Sequence, residues 1–297
     1  MNGQGFLPGF TPIDQRDHYN LDPLGNVFGL CGAGPLALIT KDQLHPPMVD
    51  DEEIWANGDR WYEGAVRHTL EAALLAEIRP GEKVLDIGCG IGGPARTLVD
   101  RFGVSVHGIS TSDTQLKTFH DINQKSKVWK KSIAVENHDC QLPYRERSYD
   151  IAWSMNMLYH VEFKREMLAS TYEALRLGGR ILIDDWMLTP RASDGDRELL
   201  AHHFLSPHFA VREQICELLS RCGFVPSRFA DLGHVGRLHL NKWFRTVFSD
   251  TFHPRLVEAF PEYGEEIARD FMKAIEFTAK LYAEEKLTYF RVVGVKI

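Results

Sequence analysis

A carboxylate followed by three glycines at alternate positions is the part of the chain best suited to hold a ligand: Asp86, Gly88, Gly90 and Gly92. Glycine tolerates positive φ and lets a ligand approach the main chain closely. The apolar run 84–87 predicts a buried strand, and residues 95–102 carry apolar side chains at helical spacing. The first N–H groups of that helix would face the turn, which favours a polar or anionic ligand group. Dinucleotide-binding enzymes use such a turn too, so the glycines alone do not identify the cofactor.

Polar side chains also interrupt the apolar run 153–161, just after a predicted strand: Asn156, Tyr159 and His160. Ligands of open α/β sheets gather at the carboxyl ends of the strands, so we expect a substrate to lie here. His160 is the strongest candidate for a general base because its ordinary pKa lies near neutrality. A residue that only positions the loop is the alternative role for His160, and Tyr159 is equally suited to the core.

Strands and helices must alternate to bring these groups together. Short apolar runs predict the first five strands at 83–87, 105–109, 133–137, 150–153 and 180–184. Helices fill the gaps, and Gly178 and Gly179 are predicted to stop the helix 165–175. Regular alternation of this kind predicts a parallel, doubly wound α/β sheet.

The composition narrows the class of protein. The 297 residues are 44% hydrophobic and 25% charged, with a net charge of −7, which is typical of a soluble globular chain. A duplex-binding protein would carry a basic excess, so we expect no nucleic-acid partner. Five cysteines without paired spacing do not indicate disulfides. We find no apolar run long enough to span a membrane and no signal-peptide pattern over 1–12, and we therefore expect a cytoplasmic location.

The segment Gly88-Cys89-Gly90-Ile91-Gly92-Gly93-Pro94-Ala95, preceded by Asp86, resembles motif I of class I S-adenosylmethionine-dependent methyltransferases. Within that superfamily the chain is most similar to the branch that methylates small molecules, such as sterols, tocopherols, phosphoethanolamine, sarcosine and geranyl diphosphate. The resemblance is good over 82–185 and thin elsewhere. It implies a Rossmann-like, mostly parallel seven-stranded sheet with S-adenosylmethionine as the cofactor.

The resemblance also divides the chain. In similar methyltransferases, N-terminal helices lie over the cofactor and a helical insertion before the last strand covers the substrate. A helix predicted over 59–78 and helical segments over 255–285 fit this plan, with a sixth strand at 223–232. We therefore predict four parts: a helical lid at 1–80, the cofactor-binding core at 81–232, a helical cap at 233–286 and the last core strand at 287–297.

Cofactor contacts follow from the same resemblance. The amino acid end of the cofactor is expected over Gly88 and Gly90, with Asp86 accepting from the amine directly or through water. The segment 108–115 is similar to the branch's version of the ribose site, and 138–144 to its adenine segment. These two matches add the remaining predicted cofactor residues: Ser110, Thr111, Gln115, Asp139 and Cys140. Helix capping is an equally good interpretation of Ser110 and Thr111.

The substrate is expected to be a hydrophobic small molecule, and the branch resemblance favours carbon as the acceptor atom. Terpenoid and sterol C-methyltransferases often carry a glutamate near the position of Asn156, which leaves Asn156 a hydrogen-bonding or orienting role. Oxygen or nitrogen methylation of an aromatic molecule is the alternative, as is a cyclase that keeps the cofactor without transferring methyl. A homo-oligomer is possible.

Acidic and histidine side chains near the fifth strand raise the question of a metal: Asp184, Asp185, His202, His203 and His208. Their spacing matches no zinc or iron signature, so we predict no metal site. We expect these histidines to be solvated on a polar loop and the two acids to lie at a strand end.

Overall fold

The computed structural model describes residues 61–144, 147–204, 208–238 and 264–297. Most of the predicted lid and nearly half of the predicted cap, residues 239–263, therefore lie outside the described residues. The four-part division of the chain stays a prediction.

The described elements alternate as expected. In chain order they are α1 (Trp61–Leu75), β1 (Lys83–Ile87), α2 (Gly93–Phe102), β2 (Ser105–Ser110), α3 (Asp113–Asn123), α4 (Lys127–Ser132), β3 (Ile133–Asn137), β4 (Tyr149–Met155), α5 (Lys164–Ala174), β5 (Leu175–Leu188), α6 (Asp194–Phe204), α7 (Arg212–Arg221), β6 (Phe224–Asp231), α8 (Gly264–Ala283) and β7 (Leu287–Lys296). A 3₁₀ turn, Leu158–His160, follows β4.

One seven-stranded sheet organises these elements, in the order β3-β2-β1-β4-β5-β7-β6. Every pair from β3 to β5 is parallel, whereas β7 runs antiparallel to both β5 and β6. The predicted α/β, mostly parallel seven-stranded sheet is thus confirmed. The strand order reverses direction between β1 and β4, and ligands of doubly wound sheets bind in the crevice at such a switch point.

Helices cover both faces of the sheet because successive strand residues point to opposite sides. Leu85 and Ile87 of β1 belong to the apolar cluster that includes residues of α5 and α7. Val84 belongs to the opposite cluster, which includes residues of α1, α2 and α3. By the same alternation Asp86 lies on the face of Val84, where a carboxylate has no aqueous surroundings.

A buried ion pair lies at the amino-terminal end of β1. The Arg180 guanidinium donates to both carboxylate oxygens of Glu82 at 2.7 and 2.9 Å, and its Nε donates to the Ala76 carbonyl at 2.8 Å. Both side chains are 7% exposed. The pair ties β5 to the chain that leads from α1 into β1.

A second buried network attaches α1 to the sheet. The Asp184 carboxylate lies 3.1 Å from His68 Nε2 of α1 and 3.1 Å from Arg291 Nε of β7. Arg291 Nη2 also lies 2.8 Å from His68 Nδ1. Burial lowers the pKa of His68, and the neighbouring guanidinium and imidazole hold the pKa of Asp184 low despite its own burial. The helix is therefore docked by polar contacts as well as by its apolar face.

Two local predictions after α5 are wrong. The helix ends at Ala174 instead of being stopped by Gly178 and Gly179, which lie inside β5. The register with β4 jumps there, from Tyr149 opposite Leu175 to Ile151 opposite Arg180, so the glycines form a bulge. His202 and His203, expected on a polar loop, lie in α6, whose Leu200 packs in a cluster with residues of α8.

Candidate cofactor and acceptor site

The glycine turn after β1 is fixed by the neighbouring strand. The N–H groups of Gly88 and Cys89 both donate to the Ile109 carbonyl of β2 at 2.9 Å, and the Gly92 N–H donates to the Cys89 carbonyl at 2.9 Å. Gly88, Gly90 and Gly92 all have positive φ, at 73°, 55° and 84°. The backbone of the turn thus favours glycine at all three positions.

The space around the three glycines differs. A Cβ on Gly88 would lie 2.9 Å from Met157 Cβ and closer still to its Cγ, and a Cβ on Gly92 would lie 2.6 Å from Phe119 Cε1. A Cβ on Gly90 would meet nothing within 4 Å. Gly88 and Gly92 are therefore needed for packing, whereas Gly90 faces open space.

Asp86 is a buried acid next to the glycine turn. Its side chain is 3% exposed, and its Oδ2 has no hydrogen-bond partner among the described residues. Burial raises the pKa of this carboxyl to about 7, while the charge of Arg96 lowers it. A buried carboxylate is costly unless it is paired, so the ammonium group of S-adenosylmethionine is a fitting partner.

Arg96 is a buried residue of α2 that contacts the glycine turn. It was not among the site residues predicted from the sequence. Its Nη2 donates to the Ile91 carbonyl at 2.7 Å and its Nη1 to Asn123 Oδ1 at 3.3 Å. The guanidinium also lies 5.3 Å from the centroid of the Phe119 ring. The sequence does contain a sign of this role, because Arg96 lies among the buried residues of α2, which include Ala95, Thr97 and Leu98.

The end of β2 brings Ser110 and Gln115 together, as the resemblance implied. The Ser110 hydroxyl donates to Gln115 Oε1 at 3.4 Å and accepts the Ser112 N–H at 3.1 Å. Ser112 is the residue that caps α3, through the Gln115 N–H. The capping interpretation of Ser110 and Thr111 is therefore wrong.

The end of β3 lies beside this group, because the His138 N–H donates to the Ser110 carbonyl at 3.1 Å. Asp139 Oδ1 accepts the Gln141 N–H at 3.0 Å and its Nε2 at 3.1 Å. Burial, together with the nearby Asp139, raises the pKa of Cys140 to about 12, so the thiol stays neutral. The fold thus gathers the predicted ribose and adenine residues at adjacent strand ends.

The loop after β4 carries the three predicted catalytic residues. Asn156 adopts a positive φ of 52°, and its N–H donates to the Asp184 carbonyl at 2.9 Å. Tyr159 and His160 are half-buried in the 3₁₀ turn. The Tyr159 ring stacks on Phe209 with centroids 5.0 Å apart and lies 4.1 Å from the His160 ring. These side chains lie on one short loop at the carboxyl end of β4.

The prediction that Asp184 and Asp185 lie at a strand end is wrong, because β5 continues to Leu188. Both are fully buried in β5 and serve as hydrogen-bond acceptors and ion-pair partners within the protein. His202 is exposed, as expected. Within the described residues no group of three or more His, Cys, Asp or Glu side chains is arranged to hold a metal ion.

The sheet order, the glycine turn and the strand-end residues together define a class I S-adenosylmethionine-dependent methyltransferase fold. Residues 59–292 match the family model described as mycolic acid cyclopropane synthetase, and the chain belongs to that family. S-adenosylmethionine is the cofactor of this class of enzymes, so the class and the cofactor predicted from the sequence are confirmed. No helix of the described residues is both long and apolar enough to cross a membrane.

Individual relatives agree with this assignment. The chain is 24% identical over 168 residues to "Sterol 24-C-methyltransferase erg6" of Schizosaccharomyces pombe, covering 57% of this chain and 44% of the relative. It is 31% identical over 149 residues to "27-O-demethylrifamycin SV methyltransferase" of Amycolatopsis mediterranei, covering 50% and 53%. The matches thus span about half the length of these curated relatives.

A solved structure matches over nearly the whole chain. The cyclopropane synthase MmaA2 from Mycobacterium tuberculosis superposes with a TM-score of 0.78 at 18% identity, covering 99% of this chain and 100% of that one. At this identity the likeness concerns the fold.

Proposed function

We propose that this protein transfers the methyl group of S-adenosylmethionine to a carbon atom of a hydrophobic small molecule. The observation that carries the proposal is the buried, unpartnered Asp86 Oδ2 beside the open space at Gly90. This pair lies at the switch point of the sheet, one strand away from the loop that holds Asn156 and His160. Asp86 and the polar loop after β4 thus lie on neighbouring strands, where a methyl donor and its acceptor would bind side by side.

The cofactor residues divide by chemistry. Asp86 would accept from the ammonium group, Gly90 would lie beneath the amino acid end, and Ser110 with Gln115 would serve the ribose or the carboxylate. Asp139 and the Cys140 N–H would bind the edge of the adenine. Bound S-adenosylmethionine supplies a methyl group on a sulfonium cation. The protein's contribution is alignment and exclusion of water, which supply much of the rate.

On the acceptor side, the loop after β4 would hold and deprotonate the substrate. When a C–C bond forms as the C–S bond breaks, the methylated carbon skeleton must release a proton. His160 is placed to take that proton, with Tyr159 and Asn156 orienting the acceptor. We also propose that the segments 1–80 and 233–286 cover this space as lid and cap.

An oxygen acceptor is the second candidate. It is favoured by the 31% identity to a relative named for methylation at 27-O. His160 would then remove the hydroxyl proton before or during transfer, so the same base serves both reactions.

Mass spectrometry with methyl-labelled S-adenosylmethionine and a panel of terpenoid, polyketide and phenolic molecules tests the proposal. We expect a labelled product with a mass gain of one methylene, and nuclear magnetic resonance of the product identifies the acceptor atom. The proposal fails if the purified protein does not bind S-adenosylmethionine in calorimetry, or if a turned-over product carries no label, as a cyclase would give.

A histidine pair tests the assigned base. His160→Ala should lower kcat by about a hundredfold or more, since general acid–base catalysis typically contributes about 10²–10⁴-fold. The matched control is His120→Ala, at an exposed histidine of α3, and should leave kcat unchanged. Equal kcat for His160→Ala and the wild type would show that His160 only positions the loop.

A further inference from the structure

Asp185 is a fully buried acid whose carboxylate accepts hydrogen bonds from backbone N–H groups. Its Oδ2 accepts the N–H groups of Met157 at 2.8 Å and Leu158 at 2.6 Å, and its Oδ1 accepts the Trp186 N–H at 2.7 Å. Burial raises the pKa of this carboxyl to about 7, and the three N–H groups oppose the rise. An apolar residue would fill a buried strand position at lower cost, so the carboxylate indicates a specific task.

That task is to attach the loop after β4 to the neighbouring strand. Three consecutive N–H groups of the loop donate to two consecutive residues of β5. The Asn156 N–H bonds to the Asp184 carbonyl, and the next two bond to the Asp185 side chain. Asn156 has a positive φ, which asparagine tolerates better than most residues, so its backbone turns the chain here without large strain. The position of the loop is therefore set from β5.

The loop in turn contacts the glycine turn. The Met157 side chain packs directly on Gly88, where even a methyl group on Gly88 would overlap Met157 Cβ and Cγ. Met157 is thus the residue through which the loop that bears His160 contacts the glycine turn. The Asp185 carboxylate thus binds the Met157 N–H, and the Met157 side chain contacts Gly88.

We propose that Asp185 is a positioning residue that holds Met157 against Gly88 and thereby sets both the cofactor pocket and the acceptor loop. The inference rests on the cofactor site proposed above at the glycine turn. Asparagine is a poor replacement for the acid, because an amide oxygen at the Oδ2 position is an uncharged and weaker acceptor for the two loop N–H groups, and the amino group would then face the Trp186 N–H.

A double-mutant cycle on cofactor affinity tests the inference. Dissociation constants of S-adenosylhomocysteine are measured by calorimetry for the wild type, Asp185→Asn, Met157→Ala and the double variant. If Asp185 acts through Met157, Asp185→Asn should weaken binding about tenfold in the wild-type background and less than about threefold in the Met157→Ala background.

Glu82→Gln is the matched control, since Glu82 is a buried acid at the opposite end of β1 with Arg180 as partner. It should lower Tm but leave the dissociation constant within about twofold. The inference is overturned if Glu82→Gln weakens binding as much as Asp185→Asn, or if the two substitutions of the cycle are additive. Failure of the wild type to bind would instead refute the proposed function.

Hydrogen exchange of the wild type keeps the inference testable if Asp185→Asn does not fold. The amide protons of Met157 and Leu158 should exchange at least about tenfold more slowly than those of exposed loops, because a buried carboxylate holds them. Exchange at the rate of the Glu162 amide, whose residue is exposed, would contradict the inference.

Discussion

Replacing Asp86 by asparagine should stabilise the ligand-free protein at neutral and basic pH while impairing cofactor binding. The Asp86 carboxyl has a pKa of about 7 in the folded protein against an ordinary value of 3.8, chiefly because it is buried. As the pH rises from 4 to 7, the unfolded chain releases this proton whereas the folded chain retains it. The contribution of Asp86 to stability therefore falls with rising pH over that window and is lowest above pH 7.

The size of the effect follows from the two pKa values. They differ by about three pKa units, which corresponds to an upper limit of about 4 kcal/mol in the free energy of unfolding. Asparagine does not ionise, so it escapes this loss. Relative to the wild type, the variant should gain up to about 4 kcal/mol between pH 4 and pH 8. The contribution of Asp185 cancels because both proteins carry it.

Urea unfolding of both proteins at pH 4, 6 and 8 measures the difference directly. Carbon-13 spectra of labelled aspartates give an independent check, since two carboxyls should titrate near pH 7 and the variant should lack one. Calorimetry should show S-adenosylhomocysteine binding about tenfold weaker or worse, because a charged hydrogen bond is lost. A difference in unfolding free energy that is the same at all three pH values would refute the protonated, buried carboxyl.

Three further substitutions test the turn and the core. Gly92→Ala should cost about 3 kcal/mol or more in unfolding free energy, measured in urea, because its methyl group overlaps the Phe119 ring and the φ is positive. Gly90→Val should abolish S-adenosylhomocysteine binding in calorimetry with less loss of Tm than Gly92→Ala, and normal binding would contradict the assigned site. Arg180→Met should lower the unfolding free energy by about 3–5 kcal/mol by stranding the buried Glu82, and Tm unchanged from the wild type would show that the pair contributes little.

Local patterns predicted the strands well wherever an apolar run has clear limits. The bounds of β1 and β3 agree with the prediction, and β2 differs by one residue. The glycine pair Gly178-Gly179 misled the prediction because glycine ends helices and also forms bulges, and only the register with β4 distinguishes the two. Periodicity carries no information about the neighbouring strand.

The site was predictable as a set of strand ends but not as a set of contacts. Asp86, Ser110 and Gln115 could be placed from spacing and resemblance. The contact of Met157 with Gly88 joins two loops, and the bonds from Asp185 to the loop amides span 27 and 28 residues of sequence. Such contacts depend on strand order and side-chain direction, which a pattern of residue types does not contain.

The polar network that docks α1 can form only late in the synthesis of the chain. His68 and Arg291 are 223 residues apart in the chain, so a ribosome completes the helix long before it delivers the guanidinium that neutralises Asp184. During elongation the apolar face of the helix can pack on α2 and α3 as soon as they are made. The polar half of its attachment is completed only when β7, the last described strand, is synthesised.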